Sequence, residues 1–173
     1  RVRLPFALFT VLIVLAGFGL IQLRDDIGTV WLVWLVLIVV ATDVFGYFAG
    51  RLIGGPKFWP QISPKKTWAG TVAGWIGAGG IGEAYVYWAG AQPQIIGISM
   101  AMSMAAQFGD IAESALKRRA GVKDSSNLIP GHGGFLDRFD GVLGAAVFLL
   151  LIERVAELPL SFGAGCAGAA GVG

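Results

Sequence analysis

Cysteine and histidine are almost missing from this chain, which has Cys166 and His132 and no others. One thiol cannot close an internal disulfide or build a thiolate metal cluster, and one imidazole cannot furnish a multi-histidine metal site. Charge is scarce too, at 14% of residues against 55% hydrophobic ones, with a mean hydropathy of +0.72. That composition is too apolar for a soluble domain to conceal in one core, so it places the chain in a lipid bilayer. Also lacking is a secretory signal, since no basic stretch leads into a short apolar core and a cleavage sequence. The chain starts at Arg1 rather than a methionine and reads as a piece of a longer protein. A formal net charge of +2 is no basic surplus of the kind a nucleic-acid partner needs.

What the sequence does have is long apolar runs. A helix that crosses the hydrocarbon needs about 20 mostly apolar residues, because it rises about 1.5 Å per residue through about 30 Å. Leu4 to Leu23 carries no charge, Ile27 to Gly50 only Asp43, Thr67 to Gly90 only Glu83, and Gln94 to about Leu116 carries Asp110 and Glu113 near its end. A fifth run, about Gly141 to Leu160, is interrupted by Glu153, Arg154 and Glu157. The expected fold is therefore all-α: a polytopic membrane bundle of about five transmembrane helices over residues 1–160. A Gly/Ala-rich tail, 161–173, is expected to be disordered. In the third run Gly70 and Gly74, with glycines at 77, 79, 80 and 82, would let a neighbouring helix approach closely.

Lysine and arginine collect in two connections. Arg51, Lys57, Lys65 and Lys66 lie between the second and third runs, and Lys117, Arg118, Arg119, Lys123 and Arg138 follow the fourth. The positive-inside rule puts both on the cytoplasmic side. Asp43 and Asp110 each stand seven residues before the cytoplasmic end of a span, Gly50 and Lys117 respectively. At the helical rise both carboxylates lie roughly 10 Å below that surface. On the fourth span Asp110, Glu113, Ser114 and Lys117 are three and four apart and share one helical face. Ionisable groups inside a span usually face a polar cavity and mark function. The alternative is that these acids form structural ion pairs with nearby lysines. Glu83 has no partner at a comparable level and reads as structural or close to the outer interface.

From Ser114 to Asp140 the chain reads SALKRRAGVKDSSNLIPGHGGFLDRFD. This segment resembles the signature of the phosphatidate cytidylyltransferase family. The shared positions are Ser114, Lys117, Arg118, Lys123, Asp124, Pro130, His132, Gly133, Gly134, Asp137, Arg138 and Asp140. Two weaker stretches agree, Ser63-Pro-Lys-Lys-Thr67 and Asp43-x-x-x-Tyr47-x-x-Gly50-Arg51. Two positions depart: Ala69, where the family often has an acid or amide, and Gly46, where alanine is common.

The resemblance implies a nucleotidyltransferase that converts CTP and phosphatidic acid to CDP-diacylglycerol and pyrophosphate with Mg²⁺ and room for a second cation. It also implies a multi-pass protein of a bacterial inner membrane with its active site facing the cytoplasm, and it leaves a homodimer open. Asp110, Ser114, Lys117, Lys123, Asp124, Asp137 and Asp140 are the implied catalytic residues. Asp43, Ser63, Lys65, Lys66, Thr67, Lys117, Arg118, Lys123, His132, Gly133, Gly134 and Arg138 are the implied substrate-binding residues.

Read without the family, the same segment describes a polyphosphate site. Mg²⁺ prefers carboxylate oxygens and binds through one or two of them plus substrate phosphates, which suits Asp110, Asp137 and Asp140. Asp137 and Asp140 are three apart, where a helical turn would bring them together. The glycines around His132 let backbone amides reach a phosphate, although a lone histidine in such a loop also serves as a structural hydrogen bonder. Lys65 and Lys66 read equally as a positive-inside flank. Two other readings have distinct signatures: a CTP-dependent lipid kinase would release CDP rather than pyrophosphate, and an ion-coupled transporter would not need the basic loop.

Overall fold

Each apolar run folds as a helix, and each break has a local cause. The computed structural model describes residues 3–60, 62–119, 121 and 136–156. Helix α1 (Arg3–Gln22) loosens into a π-helical turn, Leu23–Ile27, and Gly28 then turns the chain with φ 108°, a region that L side chains avoid. Helix α2 (Thr29–Leu52) runs to the first basic connection. Helix α3 (Trp68–Ala89) starts at Thr67, whose hydroxyl accepts from the Gly70 amide at 3.2 Å, and stops at left-handed Gly90. Helix α4 (Gln94–Arg119) begins just after Pro93, and α5 (Leu136–Ala156) completes the bundle. The expected tail and the predicted site residues Lys123, Asp124, His132, Gly133 and Gly134 lie outside the described residues.

Two corrections to the sequence reading follow. The chain is not wholly helical, because β1 (Lys57–Trp59) pairs antiparallel with β2 (Ser63–Thr67), Trp59 opposite Ser63 and Lys57 opposite Thr67. Prolines at 56, 60 and 64 recur every four residues and forbid a helix there. The fifth helix also starts at Leu136 rather than Gly141, so Asp137 and Asp140 belong to its first two turns.

Packing joins α2 to α3, α3 to α4, α4 to α5, and α1 to α5. The core runs from Trp31, Trp34, Leu35 and Ile38 on α2 to Ile95, Met102 and Ala106 on α4 and Leu143, Ala146 and Leu149 on α5. Trp31 and Trp34 meet edge to face at 5.7 Å. Buried hydroxyls bridge helices: Trp34 Nε1 donates to Ser99 Oγ at 3.2 Å, and Thr42 Oγ1 to Ser103 Oγ at 2.7 Å. On α2 one face carries these buried side chains while Val33, Val36, Val40 and Val44 are exposed on the other. Helices α2 and α4 are long and apolar enough to cross a membrane.

The seam between α2 and α3 is made by backbone against backbone. A β-carbon on Gly70 would stand 2.5 Å from the Gly46 carbonyl oxygen, whereas one on Gly46 would meet the Gly70 oxygen at 3.4 Å, an ordinary contact. Gly70→Ala is therefore expected to destabilise the protein by about 1–3 kcal/mol, and Gly46→Ala by less than about 0.5 kcal/mol. Thermal unfolding of both variants in detergent checks the contrast.

Candidate active site

A cavity of about 400 Å³ opens between α2, β2, α3 and α4. Its wall is Thr42, Asp43, Gly46, Tyr47, Gly50 and Arg51 from α2, Lys66 and Thr67 from β2, Gly70 and Thr71 from α3, and Gln107 from α4. The α2 residues form three adjacent pairs that repeat every four positions, so a single stripe of that helix faces the space. Room exists because three of the lining residues are glycines.

Beside it the acids converge. Asp43 stands nine residues before the end of α2 at Leu52, and Asp110 nine before the end of α4 at Arg119. The two carboxylates interact electrostatically, and Lys66 acts on Asp43 with the opposite sign. Lys66 Nζ forms an ion pair with Asp110 Oδ2. Ser114 Oγ, one turn along, donates to Asp110 Oδ1 at 3.4 Å. From α5 the Asp140 carboxyl comes within hydrogen-bonding reach of both Asp110 and Glu113. Asp140 Oδ1 also accepts from the Gly141 amide at 2.7 Å. Glu113 is 1% exposed and pairs with Lys117 at 3.5 Å, closing the set.

Asp140 can reach Asp110 because α4 and α5 touch through glycine. A β-carbon on Gly109 would lie 2.7 Å from the Asp140 carbonyl oxygen, and one on Gly144 would lie 2.5 Å from the Ala105 carbonyl oxygen. No larger residue permits that spacing. Carboxylates gathered this way repel one another, and positive charge or a shared proton relieves that repulsion. Lys66 and Lys117 supply part of it.

The predicted residues sort as follows. Asp43, Lys66, Asp110, Ser114, Lys117 and Asp140 meet around one locus. Thr67 lines the cavity and at the same time caps α3. Ser63 stands in β2 opposite Trp59, outside the cavity wall, and Arg118 is exposed on the last turn of α4. Asp137 and Arg138 sit on the first turn of α5, and Lys65 in β2; their side chains lie outside the described set. The ion-pair alternative for Asp110 is realised through Lys66, itself a predicted phosphate ligand.

Sequence reading missed Gln107, Tyr47, Arg51 and Thr42 as cavity residues, and missed Glu113 as a partner of Asp140. The available signal was the polar stripe Ser99, Ser103, Gln107, Asp110 and Ser114, spaced three and four apart along α4. Gln107 is held in place: its Oε1 accepts from Trp75 Nε1 at 3.0 Å and its Nε2 donates to the Thr71 carbonyl at 3.3 Å.

Among the described residues no group of three or more His, Cys, Asp or Glu is arranged to enclose a metal ion. The oxygen donors of Asp110 and Asp140 nevertheless fit a hard cation that takes only one or two protein carboxylates and completes its shell with water and phosphate.

Lys66 and Asp110 are both about a third exposed or less, so their pairing should be measurable. In a double-mutant cycle with Lys66→Gln and Asp110→Asn, thermal unfolding is expected to give a coupling of about 1 kcal/mol. A coupling indistinguishable from zero would show that the contact contributes nothing to folding.

Fold and site together define a helical protein with a cleft of carboxylates and lysines between its helices. The sequence profile of the cytidylyltransferase family matches residues 2–155. The chain belongs to that family. It is similar to the phosphatidate cytidylyltransferase of Brucella abortus, 40% identical over 151 residues, covering 83% of this chain and 56% of that protein. The enzyme of the same name from Helicobacter pylori is 38% identical over 152 residues, 84% of this chain and 57% of that protein. That of Bacillus subtilis is 39% identical over 133 residues, 74% of this chain and 49% of that protein. The chain thus spans about half the length of the curated relatives it matches.

Proposed function

We propose that the protein of which this chain is part transfers the cytidylyl group of CTP to phosphatidate, from a site in a membrane bundle open to the cytoplasm. A phosphate oxygen of phosphatidate attacks the α-phosphorus of CTP. The bond from that phosphorus to the oxygen bridging to the β-phosphate breaks, and pyrophosphate leaves with the electron pair. The nucleophile is already ionised, so the protein has no proton to remove and forms no covalent intermediate. Its task is to hold two anions together and in line.

One observation carries this reading: Lys66, Asp110, Asp140 and Lys117, from three separate elements, meet beside a cavity large enough for a phosphate-bearing ligand. Lys66 and Lys117 would turn toward phosphate oxygens once substrate competes with their carboxylate partners. Asp110 and Asp140 would hold Mg²⁺, with Asp137 from the same turn of α5 in the proposed set. When bound, that cation would neutralise charge on the phosphates. Lys123, Asp124, His132, Gly133 and Gly134 are proposed to complete the phosphate contacts, in keeping with the family signature.

Insertion in a bilayer as a multi-pass protein is supported by α2 and α4, and by the outward-facing valines of α2. Helix ends near both acids leave them about 13 Å below the surface, where CTP from water and phosphatidate from the leaflet can meet.

The test uses purified full-length protein with radiolabelled CTP, phosphatidate and Mg²⁺. Label on the cytidine should move to the organic phase while the γ-phosphate label stays in water as pyrophosphate. Transfer of the γ-label to lipid, with release of CDP, would instead identify a lipid kinase.

A further inference from the structure

The cavity has two chemically different ends. Inside, Asp43 lies near Asp110 and Lys66. Eight residues further along α2, roughly 12 Å at the helical rise, Arg51 is exposed, and its Nη1 donates to the Tyr47 hydroxyl oxygen at 2.8 Å. Both residues line the cavity. Lys66 is engaged by Asp110, whereas Arg51 has no acid in ion-pair range among the described residues.

The donor count at this end points to an anion. Arginine keeps its charge at any working pH and has five N–H donors in a planar fork, of which the Tyr47 contact uses one. The Tyr47 oxygen accepts from Arg51, so its own O–H remains to donate. Positive charge and convergent donors, with no carboxylate in ion-pair range of Arg51 among the described residues, suit a group with several anionic oxygens. Alongside, Phe48, Leu52 and Ile53 are 56%, 80% and 75% exposed. An apolar strip next to an anion-binding mouth matches a phosphate that carries hydrocarbon chains better than one that carries a nucleoside.

We propose that Arg51 and Tyr47 bind the phosphate monoester of the lipid substrate, with its chains against Phe48, Leu52 and Ile53. This assignment rests on the function proposed above. The terminal phosphate of CTP shares the chemistry and is the rival source.

The experiment measures equilibrium binding to the full-length protein in detergent micelles by titration calorimetry. The ligands are dihexanoyl phosphatidate, dihexanoyl phosphatidylcholine and CTP. Arg51→Gln should weaken phosphatidate binding by about tenfold, the loss of a charge-assisted contact, and change CTP affinity by less than about twofold. Arg51→Lys, which keeps the charge but not the fork, should fall between, and Tyr47→Phe should lose about threefold. Phosphatidate affinity unchanged in Arg51→Gln overturns the proposal. So does a wild-type protein that binds the two lipids equally, and a loss confined to CTP reassigns the site to the nucleotide. Binding is read without turnover, so a protein that binds phosphatidate through Arg51 yet never labels lipid would sink the proposed reaction and leave this site standing.

Discussion

Asp110→Asn and Asp140→Asn, each in the full-length protein, are expected to lower CTP-dependent formation of CDP-diacylglycerol by on the order of 10²-fold or more without unfolding it. Asparagine keeps the shape of each side chain and removes one negative charge from a crowded carboxyl cluster, so the fold loses little. The proposed chemistry would lose far more, because an amide is a poor ligand for the hard cation these acids are proposed to hold beside phosphates. The two acids serve one locus from α4 and α5. The double variant should therefore be about as inactive as either single one, since residues that act as a unit are not additive. Lipid extraction of cytidine label, alongside a thermal unfolding curve for each variant, gives both readouts. Turnover within a few-fold of wild type in either single variant would defeat the assignment of that acid.

Gly144→Ala should act at a distance from the reacting atoms and still be severe. The added β-carbon would lie 2.5 Å from the Ala105 carbonyl oxygen and 3.1 Å from the Gly109 α-carbon, both backbone atoms with no rotamer to yield. Helices α4 and α5 must move apart, at a cost of about 1–3 kcal/mol. That shift carries Asp140 away from Asp110, and a misplacement of about 1 Å can lower turnover by about 10². Gly80→Ala is the matched control, because nothing lies within 4 Å of the added carbon. It should be neutral or gain up to about 1 kcal/mol from helix propensity. Equal unfolding temperatures for the two variants would show that the α4–α5 seam tolerates expansion.

The apolar runs made four helices legible nearly to their ends, since a run of that length without charge has few other ways to satisfy its backbone. The depth match between Asp43 and Asp110 was also readable, because helical rise converts residue number directly into height. The fifth helix was misjudged at its start: Asp137, Arg138 and Asp140 look like loop residues by composition, yet they occupy the first turns of α5. The β1–β2 hairpin was missed because three prolines in nine residues argue against a helix without specifying a strand partner. Arg51 and Tyr47 carried no signal beyond a basic flank and a family-like spacing. Their spacing of four puts them on one face of α2, but only the cavity between α2, β2, α3 and α4 shows what that face lines.

Composition and spacing alone determined that this chain is a bundle of apolar helices with carboxylates at one level and cationic segments at their ends, because those properties are local and follow from period and rise. Which acids meet was decided by tertiary structure. Asp140 reaches Asp110 and Glu113 only because Gly109 and Gly144 let two backbones touch, and Lys66 reaches Asp110 because β2 returns the chain to α3 and the long lysine side chain extends from there to α4. Contacts between residues far apart in sequence depend on interhelical distance, and no single helix encodes that distance.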